Sequence, residues 1–320
     1  MISLAVPIYN EEEIIHLLHD AVSNVMSGVG EPWEVVYVND GSKDSSLKLL
    51  RELQAKDPHV VVVDLSRNWG HMGALTAGLQ TARGECVILM DGDLQDPPEV
   101  IPNMIAEWRK GAQVVTTVRR KREEGRKHLA LLFPLFYRVL GWLSDYPIPL
   151  NSGIFGLLDR QALDSFLALR ERNRYLPGLR AWIGYRTAIV YYDRRDRVGG
   201  EGKLSLLSRV KYAFDAITSF SYKPLRFSFL LSGVAIAFAL IYLLALLASG
   251  HLAGYGLAVA AIFFMGGVQL FTVGILGEYI GRTYDEVRTR PISLINTVYR
   301  TESAELAEPA SPRDQVPIAA

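Results

Sequence analysis

The sequence predicts an α/β fold: a mostly parallel sheet with helices on both faces, followed by a two-helix apolar hairpin. Three observations predict it. Short β-branched apolar runs alternate with amphipathic helical stretches, turn-forming residues bound each run, and two long uncharged segments are confined to the C-terminal third. With 49% hydrophobic and 21% charged residues over 320 positions, the chain is more apolar than an ordinary soluble domain. The excess is local, because residues 1–225 have a globular mix and 226–281 carry almost no charge.

The expected strands are 2–6, 33–38, 60–65, 86–90 and 113–118. Between them, 14–26 places Ile14, Leu17, Leu18, Ala21, Val22 and Val25 on one helical stripe, and 46–56 repeats the pattern with Leu47, Leu50 and Leu53. Helices over 72–81 and 98–110 complete the set, the last opening on prolines, where a missing N–H costs nothing. In such sheets the ligand crevice lies beyond the carboxyl ends of the strands, so the loops there are the candidate site.

The first loop, Pro7-Ile8-Tyr9-Asn10-Glu11-Glu12-Glu13, offers an aromatic ring, an amide and carboxylates to a planar heterocycle. Asn10 also suits a cap of the next helix, and the glutamates its positive end. The second, Asn39-Asp40-Gly41-Ser42-Lys43-Asp44, reads equally as a turn into a helix. The third, Met90-Asp91-Gly92-Asp93-Leu94-Gln95-Asp96-Pro97-Pro98, is sharper. If extended, it projects Asp91, Asp93 and Gln95 to one side, with Gly92 letting a ligand approach the backbone. Two like charges held together need a cation, and Mg²⁺ or Mn²⁺ accepts such oxygens and completes its shell with phosphate oxygens.

Composition excludes several alternatives. Thirty-four basic and 34 acidic residues balance, so no global field argues for nucleic acid. The single cysteine, Cys86, rules out an intrachain disulfide and a cysteine zinc site. The six histidines lack metal-ligand spacing, which favours an oxygen site. No basic leader precedes the first strand, so the first domain is expected to stay in the cytosol.

Together the three loops resemble the family-2 inverting glycosyltransferases, and more narrowly the polyprenyl-phosphate and dolichol-phosphate sugar transferases. The resemblance covers about residues 1–300 and implies a GT-A nucleotide-sugar fold. It implies that Pro7, Tyr9, Asn10, Glu11 and Asp40 hold the nucleotide, that Asp91 serves nucleotide and metal, and that Asp93 and Gln95 complete the metal site. Arg67-Asn68-Trp69-Gly70-His71 is similar to the family's Arg-Asn-aromatic-Gly stretch. One stretch departs: where many relatives carry Gly-Asp-Phe-Arg, this chain reads Asn151-Ser152-Gly153-Ile154-Phe155-Gly156-Leu157, so the charged residues' roles do not transfer. Arg172, Arg174, Tyr175 and Trp182 still look family-like, as a wall of the sugar pocket or as helix packing.

After the fifth strand come Arg119, Arg120, Lys121, Arg122, Arg126 and Lys127, then an apolar aromatic helix at 129–143. Arg119 and Arg126 are the expected binders of an acceptor phosphate, whose oxygens suit guanidinium forks. The expected reaction moves a hexose, with UDP-glucose as the leading donor by likeness, to polyprenyl phosphate, with inversion. A GDP-sugar, another lipid acceptor, or a catalytically silent membrane scaffold are the alternatives. A processive synthase would bring more spans and a Gln-x-x-Arg-Trp motif, and neither is present.

The domain reading is a cytosolic catalytic domain over 1–203, an amphipathic juxtamembrane segment over 204–226, a transmembrane hairpin over 227–281 with spans at about 227–249 and 257–280, and a cytosolic tail over 282–320, disordered from about 301. The connection at 250–256 lacks Lys and Arg, whereas Arg209, Lys211, Lys223 and Arg226 precede the pair and Arg282, Arg288 and Arg290 follow it. The positive-inside rule then puts both flanks in the cytosol, at a bacterial inner membrane. Gly277 and Gly281 suit close helix packing and a homo-oligomer, and Glu278 reads as structural, paired with a nearby arginine.

Overall fold

The computed structural model describes residues 1–120, 152–169, 171–172, 174–195, 232–237, 240–241, 244 and 255–301. Within them the chain runs β1 (Ile2–Ile8), α1 (Ile15–Ser27), β2 (Trp33–Asn39), α2 (Ser46–Lys56), β3 (Val60–Leu65), α3 (His71–Thr81) and β4 (Cys86–Leu89). A 3-10 turn at Pro98–Val100 then leads into α4 (Ile101–Arg109), β5 (Val114–Arg119), β6 (Ser152–Asp159), α5 (Arg160–Ala168), α6 (Leu176–Trp182), β7 (Thr187–Tyr192), α7 (Tyr255–Val287) and β8 (Ile295–Tyr299). All five strands and four helices expected from periodicity are present.

The strands form one sheet in the order β7-β5-β6-β4-β1-β2-β3-β8. Strands β1 with β2 and β4, β2 with β3, and β5 with β7 pair in parallel. Strand β6 runs antiparallel between β4 and β5, and β8 antiparallel to β3. The carboxyl ends of β1 to β5 and β7 therefore share one edge with the amino ends of β6 and β8.

Every residue of β1, β2 and β3 is buried, as expected for parallel strands covered on both faces. On one face Ile2, Leu4, Val6 and Ile8 pack with Ile15, Leu18, Val22 and Met26 of α1. On the other, Ala5, Val36 and Val38 meet Ala74 and Leu75 of α3 and Leu163 and Phe166 of α5. Each fully buried side chain of Leu size contributes about 1.5–3 kcal/mol, so the two layers hold the strand ends as a rigid platform.

Helix α7 contains the second apolar run and continues past it for 33 residues in all, ~50 Å at ~1.5 Å per residue. Ile262, Leu270, Val273 and Ile280 on it are exposed. The side chains at 255–257, 259–260 and 263 of this helix lie outside the described residues, and among the described residues alone no helix is long and apolar enough to cross a membrane. Glu278 accepts from Arg282 Nε at 3.0 Å, one turn apart. The expected helix at 129–143, the segment 204–226, most of the run 227–249 and the tail beyond 301 lie outside the described residues.

After α7 the chain returns to the sheet as β8. Arg300 pairs with Glu34 at 2.6 Å, and the Arg51 guanidinium lies 4.7 Å over the Tyr299 ring.

Candidate active site

The loops after β1 and β2 are joined by hydrogen bonds. Asn10, at φ 52, accepts from Lys43 N at 2.8 Å and donates its own N–H to Ser42 Oγ at 3.1 Å. Glu11 N donates to Ser46 Oγ at 3.0 Å, and Ser45 N to Glu12 Oε2 at 2.8 Å. Asn10 thus joins the two loops and does not cap α1, whose cap position is Ile14 with no side-chain cap.

Gly41 sits at φ 64, and a Cβ there would lie 2.5 Å from Asn68 N, so only glycine lets this turn stack on the β3–α3 loop. Asp40 is buried and accepts from Trp69 N at 2.7 Å. Burial pushes its carboxyl upward against the opposing N–H groups of Trp69 and Gly70. Its carboxylate therefore organises the neighbouring loop, while the Tyr9 ring stands exposed at the crevice mouth.

The acidic segment is not extended. It forms a turn in which Leu94 takes φ 56 and Gln95 N donates to Asp93 Oδ1 at 3.2 Å. A local side-chain acceptor stabilises the turn against a strand continuation. Period-two alternation therefore does not place Asp91, Asp93 and Gln95, although the turn keeps all three partly exposed. Gly92 serves packing: a Cβ there would meet Ile8 Cδ1 at 2.6 Å and Pro7 O at 2.9 Å.

Asp91 Oδ1 lies 2.8 Å from His71 Nε2 at the start of α3. Burial would raise the Asp91 carboxyl, but the His71 hydrogen bond and charge, with Arg194 and Arg119, hold it below the usual range. Burial would lower His71, and Asp91, Asp40 and Asp93 outweigh it.

Arg119 ends β5. Its Nε donates to Tyr192 Oη at 3.1 Å, and Tyr192 donates to Asp96 Oδ1 at 2.6 Å. Asp96 is buried, with Arg194 Nε at 3.7 Å and its Oδ2 without a hydrogen-bond partner among the described residues. Burial and then the charge of Asp91 push Asp96 upward, so two carboxyls of one turn are driven apart. Arg126 lies outside the described residues.

Of the stretch that departs from the resemblance, Ser152 to Leu157 lie in β6. A Cβ on Gly153 would lie 3.1 Å from Arg119 Nη2, and one on Gly156 would lie 2.8 Å from Arg180 Nη1. Arg180, with no carboxylate beside it among the described residues, reaches the Ile154 carbonyl, and burial lowers its pKa to about 9. Leu176 and Leu179 are core residues, Arg174 is buried under Leu169 O, and Trp182 stays exposed.

Sequence reasoning assigned no role to His71, Asp96, Tyr192 or Arg194. His71 and Asp96 lie in stretches it singled out, with no spacing to mark them. Tyr192 ends, and Arg194 follows, an edge strand that it did not foresee.

The donor chemistry at Asp91, Asp93 and Gln95 is hard oxygen, which fits Mg²⁺ or Mn²⁺. Among the described residues no group of three His, Cys, Asp or Glu side chains converges to hold a metal.

Residues 3–167, just over half the chain, match the family described as Glycosyl transferase family 2. The chain belongs to glycosyl transferase family 2. Residues 223–283 of this family-2 glycosyltransferase match the GtrB C-terminal hairpin, and its sheet is the GT-A-like α/β fold that the resemblance implied. It is 39% identical to "Uncharacterized glycosyltransferase YkcC" of Bacillus subtilis (strain 168), over 95% of this chain and 96% of that protein. It is 37% identical to "Prophage bactoprenol glucosyl transferase homolog" of Escherichia coli (strain K12), over 93% and 99%. The "Bactoprenol glucosyl transferase" of Shigella phage SfII is also 37% identical, over 93% and 98%.

Proposed function

We propose that this chain moves glucose from UDP-glucose to a polyprenyl phosphate such as undecaprenyl phosphate, with inversion, at the cytosolic face of the bacterial inner membrane. The observation that carries it is the near-full-length likeness to proteins named bactoprenol glucosyl transferase. The site agrees in chemistry, since Asp91, Asp93 and Arg119 stand at one edge of the sheet.

The acceptor phosphate is anionic near neutral pH and needs little help from a general base. Its oxygen forms a bond to the anomeric carbon while the bond from that carbon to the diphosphate oxygen breaks, and the electron pair leaves with UDP. An α-linked donor gives a β-linked lipid product. Pro7, Tyr9, Asn10 and Glu11 hold the nucleotide, with Asp40 fixing the loop beside it. Asp91, Asp93 and Gln95 would hold a divalent ion, which when bound neutralises charge building on the leaving diphosphate. Arg119, braced by Tyr192, and Arg126 receive the acceptor phosphate.

Membrane attachment is part of the same proposal. Two uncharged runs, at 227–249 and 257–277, are each long enough to cross ~30 Å of hydrocarbon as a helix. The hairpin match spans both, and exposed apolar residues line α7. Gly277 and Gly281, with no atom of the described residues within 4 Å of a Cβ placed on either, suit helix packing in a homo-oligomer.

The test is calorimetric titration of UDP and GDP into the purified full chain with and without Mg²⁺ or Mn²⁺, followed by product NMR. Metal-dependent UDP binding and a β-linked product are expected. GDP preference would change the donor, and no nucleotide binding would favour the scaffold.

A further inference from the structure

Asp64, at the end of β3, is a nearly buried carboxylate shared by two amides. Its Oδ1 accepts from Asn39 Nδ2 at 2.7 Å and its Oδ2 from Asn296 Nδ2 at 3.1 Å. Asn39 is the last residue of β2 and is itself buried. Its side-chain Oδ1 accepts from Ser42 N at 3.3 Å, and Ser42 Oγ in turn accepts from Asn10 N at 3.1 Å. The next residue, Asp40, holds Trp69 N at 2.7 Å. A side chain on β8 thus completes the support of the turn that carries the crevice loops.

The same segment touches the β3–α3 loop directly. Leu294 O accepts from Ser66 N at 3.0 Å, and Ile292 O would lie 3.3 Å from a Cβ on Gly73. Only residues 288–294 separate the end of α7 from β8. At its other end β8 is held differently, for Arg300 pairs with Glu34 at 2.6 Å and reaches Thr81 O at 3.1 Å, at the amino edge of β2, away from the turn.

We propose that Asn296 is a positioning residue for the nucleotide donor, acting through Asp64 and Asn39 on the turn after β2. The proposal rests on the reading that this turn borders the nucleotide. Without Asn296, Asp64 Oδ2 loses its donor in a site with little access to water, the carboxylate reorients, and Asn39 is freed. The turn then samples positions in which Asn10 and Trp69 are no longer fixed.

The full chain, purified in detergent, is titrated with UDP and with GDP in Mg²⁺, and donor kinetics are measured beside thermal melts. Asn296→Ala is expected to weaken nucleotide binding about three- to tenfold while kcat at saturating donor stays within about twofold. Asn296→Gln, which keeps the amide, is expected to recover most of the loss. Arg300→Ala should lower the melting temperature and leave nucleotide affinity unchanged. Unchanged binding in Asn296→Ala, or equal weakening in Arg300→Ala, overturns the proposal while wild-type binding upholds the donor site. Wild-type chain that binds neither nucleotide overturns both.

Discussion

His71 Nε2 and Asp91 Oδ1 stand 2.8 Å apart, joining the first turn of α3 to the acidic turn after β4. The contact links the loop organised by Asp40 to the proposed metal site. Groups that orient a metal ligand commonly matter about 10–100-fold. His71→Ala should therefore raise the Mg²⁺ concentration needed for nucleotide binding about tenfold or more, read by calorimetry across a Mg²⁺ series. An unchanged Mg²⁺ dependence would separate Asp91 from the metal.

Arg119 is expected to serve the acceptor and not the donor. Arg119→Ala should raise the KM for undecaprenyl phosphate about tenfold or more, as for a lost hydrogen bond to a charged group. The donor KM should stay within about twofold, and equal effects on both substrates would sink the assignment.

Tyr192 links Arg119 to Asp96. Tyr192→Phe removes the only hydrogen bond to buried Asp96 Oδ1 from a described side chain and frees the Arg119 head group. A stability loss of about 1–3 kcal/mol follows, together with a higher acceptor KM. Thermal melts and acceptor kinetics check the two effects separately; a lower melting temperature with an unaltered acceptor KM would leave Tyr192 a purely structural residue.

Acid sensitivity has a source far from the crevice. His19 Nε2 lies 3.2 Å from Asp57 Oδ2 and its Nδ1 3.3 Å from Tyr37 Oη, while Asp57 Oδ1 lies 2.7 Å from His59 Nδ1. Burial holds His19 below its ordinary value, against the upward pull of Asp57 and Asp20 and with help from His16. A depressed folded-state value means that His19 contributes stability above about pH 6.5, and the contribution is lost as pH falls. Burial would raise Asp57, but hydrogen bonds from His59 win and lower it, so its contribution disappears further into acid. Melting curves at pH 7.5 and 5.5 should show the wild type losing stability on acidification and His19→Gln losing less. Equal losses would remove His19 from the account.

The sequence made the first five strands legible because each of β1 to β5 is a largely apolar run that ends in or is followed by polar turn residues. It placed Asp91, Asp93 and Arg119 at strand ends for the same reason. It misjudged the acidic segment because the Asp93 side chain and the left-handed Leu94 override alternation, a choice periodicity does not record. Strand β8 was passed over because Ile295–Tyr299 is only five residues long and stands between a charged helix end and a polar tail. Its place is fixed by long-range partners, Asp64 and Glu34. His71 escaped notice because one histidine after a glycine carries no spacing signal.

Transfer itself tests the central claim most directly. The full chain in lipid nanodiscs with Mg²⁺, radiolabelled UDP-glucose and undecaprenyl phosphate should move label into the lipid fraction, and Asp93→Ala should reduce that transfer at least about a hundredfold. Label that stays aqueous with every nucleotide sugar offered, or enters lipid equally well with Asp93→Ala, would contradict the account.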